Sequence, residues 1–319
     1  MALPTSYIQA KNIVIAGMGG SAIGGALTQG LSKNAHIPIA TCNDYDPPGF
    51  VNKDTLFIAV SYSGNTEETI SALKKAAQKT DKLITISTGG KIASLSTNFR
   101  TPHYKIDYGS QPRAALGYTF ISLVAILVKL NFIEIKDEEI SEALVLLKGL
   151  QKKIDVNVQS AYNNAKILAQ KIFGKIPIIY GSGSLAEVGR RWKSDFNENA
   201  KNAAYFEVIP ELNHNALVGL QFPKDLRTKI FVIILQSKFD HPRNTLRQNI
   251  TAQILQKNRI NYESVLMEPS ASALDEILQT VHFGHYVSYY LAILNNVEPN
   301  PIETVNFLKD KLAEQPIEK

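Results

Sequence analysis

The 319-residue chain holds one cysteine, Cys42, and one tryptophan, Trp192. A single thiol excludes an intramolecular disulfide and a cysteine-built zinc site. Its isolation points to a reducing, cytoplasmic compartment. The opening residues lack the basic stretch and apolar run of a secretory signal. The most apolar segment, from Ala114 to Val128, falls short of the ~20 residues that a membrane span needs, so it reads as a buried core helix. The net charge is only +5, and Lys and Arg are scattered, not gathered into the stripe of a nucleic-acid-binding face. Neither nucleic acid nor membrane is therefore an expected partner, and a small anionic substrate suits the balance.

What is present is an ordinary globular composition, 45% hydrophobic and 20% charged. A chain of this length favours two domains and can bury a large core without disulfides or metals. Strand and helix alternate along it. Asn12 to Ala16, Ile37 to Thr41, Thr55 to Val60 and Lys82 to Ser87 read as strands, with helices over Ala22 to Leu31 and Thr66 to Lys79. Two helical stretches follow, Arg113 to Leu130 and Asp137 to about Ile154. The alternation resumes with strands at Lys175 to Tyr180, Ala203 to Ile209, Lys229 to Leu235 and Asn261 to Leu266. Helices are expected at Ser184 to Lys201, Pro242 to Lys257, Leu274 to Asn295 and Pro301 to Ala313. Such alternation predicts an α/β chain with doubly wound parallel sheets. The expected division is a first domain over residues 1–134, a helical connection over 135–157 and a second domain over 158–319. A weak repeat, IVIAGMGGSAIGG from Ile13 and IIYGSGSLAEVG from Ile178, suggests two copies of one domain type.

Two motifs in the first half suit an anion. Gly17-Met18-Gly19-Gly20-Ser21 links a strand to a helix start, where backbone N–H groups and the helix dipole favour negative charge. That pattern alone also fits a dinucleotide site, since Asp44 follows close behind the next strand. The second motif, Ser61-Tyr62-Ser63-Gly64-Asn65-Thr66, follows a wholly apolar strand and opens a helix. Its hydroxyls and amides make a neutral cradle for a phosphomonoester. Helix capping by Ser63 or Asn65, with Glu67 and Glu68 in the first turn, explains one hydroxyl but not three.

Four further residues carry candidate chemistry. Glu198, in Asn197-Glu198-Asn199-Ala200-Lys201, lies beside the stripe Leu185, Val188, Trp192 and Phe196. His214 sits in a polar Asn-His-Asn loop and suits proton transfer near neutral pH. Arg113 opens the apolar helix, where the dipole disfavours a cation, which hints at a task such as holding an anion. Lys309 lies on the apolar line of the last helix, defined by Ile302, Val305 and Leu312, where a snorkelling stem is the plainer account.

The segments GMGGSAIGG, SYSGNTEET, PRAALGY, NENAK, NHN, VSYYLA and ETVNFLK together resemble the bifunctional phosphoglucose/phosphomannose isomerases, which are built from two sugar isomerase (SIS) domains. The resemblance spans nearly the whole chain. It implies two three-layer αβα SIS domains, a phosphorylated hexose as substrate, and no cofactor or metal. It implies phosphate contacts from Gly19, Gly20, Ser21, Ser61, Ser63 and Thr66. Glu198 is then the base between C1 and C2, Arg113 the enediolate holder, and His214 and Lys309 the ring-opening pair. It further implies a homodimer in which His214 serves the neighbouring site. Ala216 and His285 stand where the family often carries acidic residues, which bears on sugar preference and subunit contacts. A zinc-dependent alternative would rest on His282, His285 and Glu276. A non-catalytic phosphosugar-binding regulator would need an output module, and no helix-turn-helix or basic stripe is appended.

Overall fold

The computed structural model describes residues 2–315. The first half runs β1 (Asn12–Ala16), α1 (Gly19–Leu31), β2 (Ile39–Cys42), β3 (Thr55–Val60), α2 (Glu67–Ala76), β4 (Leu83–Ser87), α3 (Gly90–Asn98), β5 (His103–Lys105) and α4 (Leu116–Lys129). Next come α5 (Asp137–Ile154), α6 (Asn164–Ile172), β6 (Ile176–Ser182), α7 (Ala186–Glu198) and β7 (Tyr205–Ile209). Two single-turn helices, α8 (Ala216–Gly219) and α9 (Leu226–Lys229), lead to β8 (Ile230–Gln236), α10 (Pro242–Lys257) and β9 (Tyr262–Leu266). The long α11 (Ala273–Leu294) and the terminal α12 (Glu303–Ala313) complete the described chain.

Two parallel sheets result, ordered β2-β1-β3-β4-β5 and β7-β6-β8-β9. Parallel strands covered on both faces need apolar side chains on both, and every residue of β3 is buried. Successive side chains serve opposite faces. Ile13, Ile15, Ile58 and Val60 join Leu123, Ile126 and Leu127 of α4 in one layer. Val14, Ala16, Phe57 and Ala59 meet Ala72, Leu73 and Ala76 of α2 in the other. The second sheet repeats the plan, with α7 and α11 on one face and Leu255 of α10 on the other. Each half is therefore a three-layer αβα domain.

The two halves share a core. Ile23 and Leu27 of α1, with Leu116, Phe120 and Val124 of α4, pack into the cluster that holds Leu185, Val188 and Trp192. The segment Pro112–Lys129 is long and apolar enough by composition to cross a membrane. Its residues Leu116, Phe120, Leu123 and Leu127 are instead buried in the core, as the sequence suggested. The turn Pro112–Ala115 is 3-10, so α4 proper begins at Leu116 and Arg113 precedes it. The helix expected from Ser184 starts as a 3-10 turn and ends at Glu198, not Lys201. In the stretch expected as a connection, α5 packs on α11, and the Tyr290 hydroxyl donates to the carbonyl of Ile154.

Candidate active site

Helices α1 and α7 run antiparallel against one another. A Cβ on Gly30, near the end of α1, would lie 3.5 Å from the Ser184 carbonyl that precedes α7. At the opposite end Gly20 packs closely on the Pro112–Arg113 backbone: a Cβ there would sit 3.1 Å from the Pro112 carbonyl oxygen. The N-terminus of α1 therefore meets Arg113, and Arg113 meets the C-terminus of α7, where its Nη1 lies 3.8 Å from a Glu198 carboxylate oxygen. No side chain caps α1, so the Gly19 and Gly20 amides stay at its open, positive end.

Beside that end lies the loop after β3. Ser21 is buried, and its hydroxyl accepts from the Tyr62 amide at 3.2 Å, which joins the two motifs. The Ser61 and Thr66 hydroxyls are 2.8 Å apart, and the exposed Ser63 hydroxyl accepts from the Asn65 amide at 3.3 Å. The N-cap of α2 is Thr66, not Ser63 or Asn65, and no side chain caps the helix. Capping therefore does not consume these hydroxyls. Gly64 has φ +71°, and its backbone is pressed onto Gly89 and Gly90, so the hydroxyls ride on a tightly seated turn.

Arg113 is buried. Its Nε donates to Asn199 Oδ1 at 2.9 Å, and its Nη2 to the carbonyls of Pro299 at 2.7 Å and Asn300 at 3.0 Å. The misfit seen in the sequence is thus resolved: the guanidinium turns away from the start of α4 and toward Glu198. Glu198 is half-exposed, with a side chain 35% accessible, and the negative end of α7 disfavours its carboxylate. Arg113 offsets that, and so does Lys201, whose ammonium donates to the Glu198 carbonyl at 2.7 Å. Partial burial, then the charge of Arg113, pulls the Lys201 pKa below the ordinary lysine value. A cavity of about 670 Å³ opens beside Glu198, lined by Asn197, Lys201, Ile302, Glu303 and Thr304.

Two expected residues are not brought to this cluster within one chain. His214 is exposed on a 3-10 turn after β7. The neighbouring Asn213 bonds Thr251 of α10, on the opposite face of the second sheet from α7. Lys309 is exposed on α12, which buries no residue. The apolar line through Val305 and Leu312 faces outward, so the packed face expected for this helix does not form within the chain.

The metal reading gains no geometry. Among the described residues no three His, Cys, Asp or Glu side chains gather to hold an ion. Glu276 accepts from the Ser237 hydroxyl and the Lys238 amide, and burial raises its pKa. His282 meets Tyr286 edge to face, and burial pushes its pKa down to about 4. The second half's counterpart of the phosphate turn is already filled by carboxylates. Ser182 donates to Asp240, Asn244 donates to Asp240 at 3.0 Å, and Asp240 lies against Gly183. With Glu276 of α11 bonded to the loop after β8, that turn has its own anions.

Sequence reasoning missed Asn199, Arg191 and the Pro299–Asn300 carbonyls. The first two lie on or beside the α7 stripe, but nothing in the sequence signals a carbonyl 186 positions from Arg113.

The chain defines a double SIS-domain protein. The SIS domain family model matches residues 6–129, and the model for the bacterial phospho-glucose isomerase C-terminal SIS domain matches residues 161–312. Among solved structures, a glucose-6-phosphate isomerase from Chlamydia trachomatis aligns with TM-score 0.72 at 13% identity, covering 97% of this chain and 70% of that one. The bifunctional phosphoglucose/phosphomannose isomerase of Caldicellulosiruptor bescii is 41% identical over 95% of this chain and 89% of its own length. That of Thermoplasma acidophilum is 37% identical over 95% and 90%. The chain belongs to the bifunctional phosphoglucose/phosphomannose isomerase family.

Proposed function

We propose that the chain interconverts glucose 6-phosphate and mannose 6-phosphate with fructose 6-phosphate. The observation that carries this reading is the Arg113–Glu198 pair at 3.8 Å, set where the uncapped end of α1 meets the end of α7. The substrate phosphate lies on Gly19, Gly20, Ser21, Ser61, Ser63 and Thr66. Glu198 takes the proton from C2 of the open-chain aldose. The C–H electron pair becomes the C1–C2 double bond, and the carbonyl oxygen becomes an oxyanion facing Arg113. Return of the proton from Glu198 to C1, with transfer of the 2-hydroxyl proton to O1, gives the ketose and restores the carboxylate. A positioned carboxylate and a fixed positive charge are what proton transfer α to a carbonyl requires. Because the enediolate has lost the stereochemistry of C2, one base reaches both epimers.

His214 and Lys309 assist ring opening in this reading. The exposure of His214, away from Glu198, supports its service to the active site of a second copy in a homodimer.

Fructose 6-phosphate incubated with the protein and EDTA is expected to yield both glucose 6-phosphate and mannose 6-phosphate in separate coupled assays. Binding of the sugar phosphate without either product would favour a phosphosugar-sensing role. For Ser63→Ala, KM is expected to rise about tenfold with little change in kcat, because a hydrogen bond to a charged group contributes roughly 1.5–3 kcal/mol. An unchanged KM would remove Ser63 from the cradle.

A further inference from the structure

Beneath Arg113 lies a polar cluster to which the mechanism assigns no role. Arg191 and Asp195 of α7 are both buried, at 2% and 1% side-chain exposure, and pair at 2.8 Å. Arg191 Nη2 also donates to the main-chain carbonyl of Arg113 at 2.7 Å. From α11, His285 Nε2 lies 3.1 Å from Arg191 Nε, 2.8 Å from Arg191 Nη2 and 3.2 Å from Asp195 Oδ2. A second route joins the same two helices to Arg113. The Arg113 Nε donates to Asn199, Asn199 Nδ2 donates to Ser288 Oγ at 2.9 Å, and Ser288 donates to the His285 carbonyl.

One ring nitrogen thus faces both an obligate donor and an obligate acceptor. Arginine has no lone pair to offer, and a carboxylate has no hydrogen. A neutral imidazole with its hydrogen on Nδ1 accepts from Arg191. An imidazolium must donate to Asp195 and is left against a guanidinium of like charge. The two states exclude one another, and only the first adds the ring's support to that of Asp195 for the arginine that grips the Arg113 carbonyl. The other charged or titratable groups around the ring are His282 on its own helix and Tyr289, Glu298 and Arg113 around the adjoining cavity. His285 is 30% exposed by side chain, so protons reach it from that cavity.

We propose that His285 is a positioning residue, holding Arg113 through Arg191 only while its imidazole is neutral, so that its protonation loosens Arg113 and lowers turnover on the acid side. The inference rests on the assignment of Arg113 to the enediolate. It concerns kcat and leaves the phosphate cradle untouched.

The test is the pH dependence of kcat and KM for the intact protein and for two variants, from about pH 5 to 8.5, the range spanning histidine titration. His285→Gln keeps a neutral acceptor, and its kcat is expected to lose the acid limb shown by the natural protein. His285→Lys keeps a cation, and its kcat is expected to lie about tenfold below the natural plateau at every pH, with KM within about twofold. Either variant decides alone should the other fail to fold. A His285→Gln profile that superimposes on the natural one, or a His285→Lys protein with the natural plateau, overturns the proposal and leaves the limb to Glu198 or His214. A natural protein with no isomerase activity overturns the underlying assignment instead, and the inference with it.

Discussion

Replacing Glu198 by Gln is expected to lower kcat by about a thousandfold, a typical loss for a general base, while the sugar phosphate still binds. The structure separates the two effects. Glu198 stands at the end of α7, whereas the hydroxyls stand on the loop that follows β3. Its removal costs Arg113 one ion pair at 3.8 Å, but the bonds to Asn199, Pro299 and Asn300 remain. The contact is long, the buried guanidinium keeps three other acceptors, and a neutral amide suits the negative end of a helix better than a carboxylate does. The variant should therefore melt at nearly the natural temperature. Calorimetry with fructose 6-phosphate should return a dissociation constant within a few-fold of the natural one. Turnover within tenfold of the natural rate would exclude Glu198 as the base.

Gly64→Ala is expected to reduce kcat/KM by about a hundredfold, a loss that a 1 Å displacement of a positioning group is enough to cause. At φ +71° an alanine is strained by roughly 1–2 kcal/mol. Its Cβ would also stand 1.8 Å from the Gly89 carbonyl oxygen and 2.7 Å from its carbon. Neither obstacle is the tip of a flexible side chain, so the turn itself must shift. The Gly64 amide donates to Ser61, and its carbonyl accepts from Ile92, so the shift moves Ser61, Ser63 and Thr66 together. Steady-state kinetics should show the loss mainly in KM, and a melting curve should show lower stability. Natural KM in this variant would mean that the loop does not hold the phosphate.

The sheets and the helices that face them were legible because burial writes itself in runs: NIVIA, TLFIAV and KIPIIY have no other comfortable place than inside a covered sheet. The strand at His103–Lys105 escaped because three edge residues make no pattern. The helix Gly90–Asn98 escaped because its Ser- and Thr-rich sequence buries only Ile92 and Ser96. At the site, the glycine and hydroxyl loops and Glu198 stand in local motifs and could be read. Their assembly could not. Arg113 is fixed by Asn199, Pro299 and Asn300, and its carbonyl by Arg191, all distant in sequence. His285 read as a departure from the family pattern and as a ligand of the zinc alternative, and only the packing of α11 on α7 reveals what its ring nitrogen faces.

The shared core beneath α1 and α7 has a consequence for which sugars fit. In the mechanism proposed above one helix end holds the phosphate and the antiparallel helix end carries the base, and Ile23, Leu27, Val188 and Trp192 pack in one core between them. On that reading the span from phosphate to base is set by this packing. A hexose 6-phosphate presents C1 and C2 at one set reach from its phosphorus. Sugar phosphates one carbon shorter or longer bring a different bond to Glu198. In that mechanism the hydrophobic core sets which chain length fits, before any hydroxyl on the sugar is read.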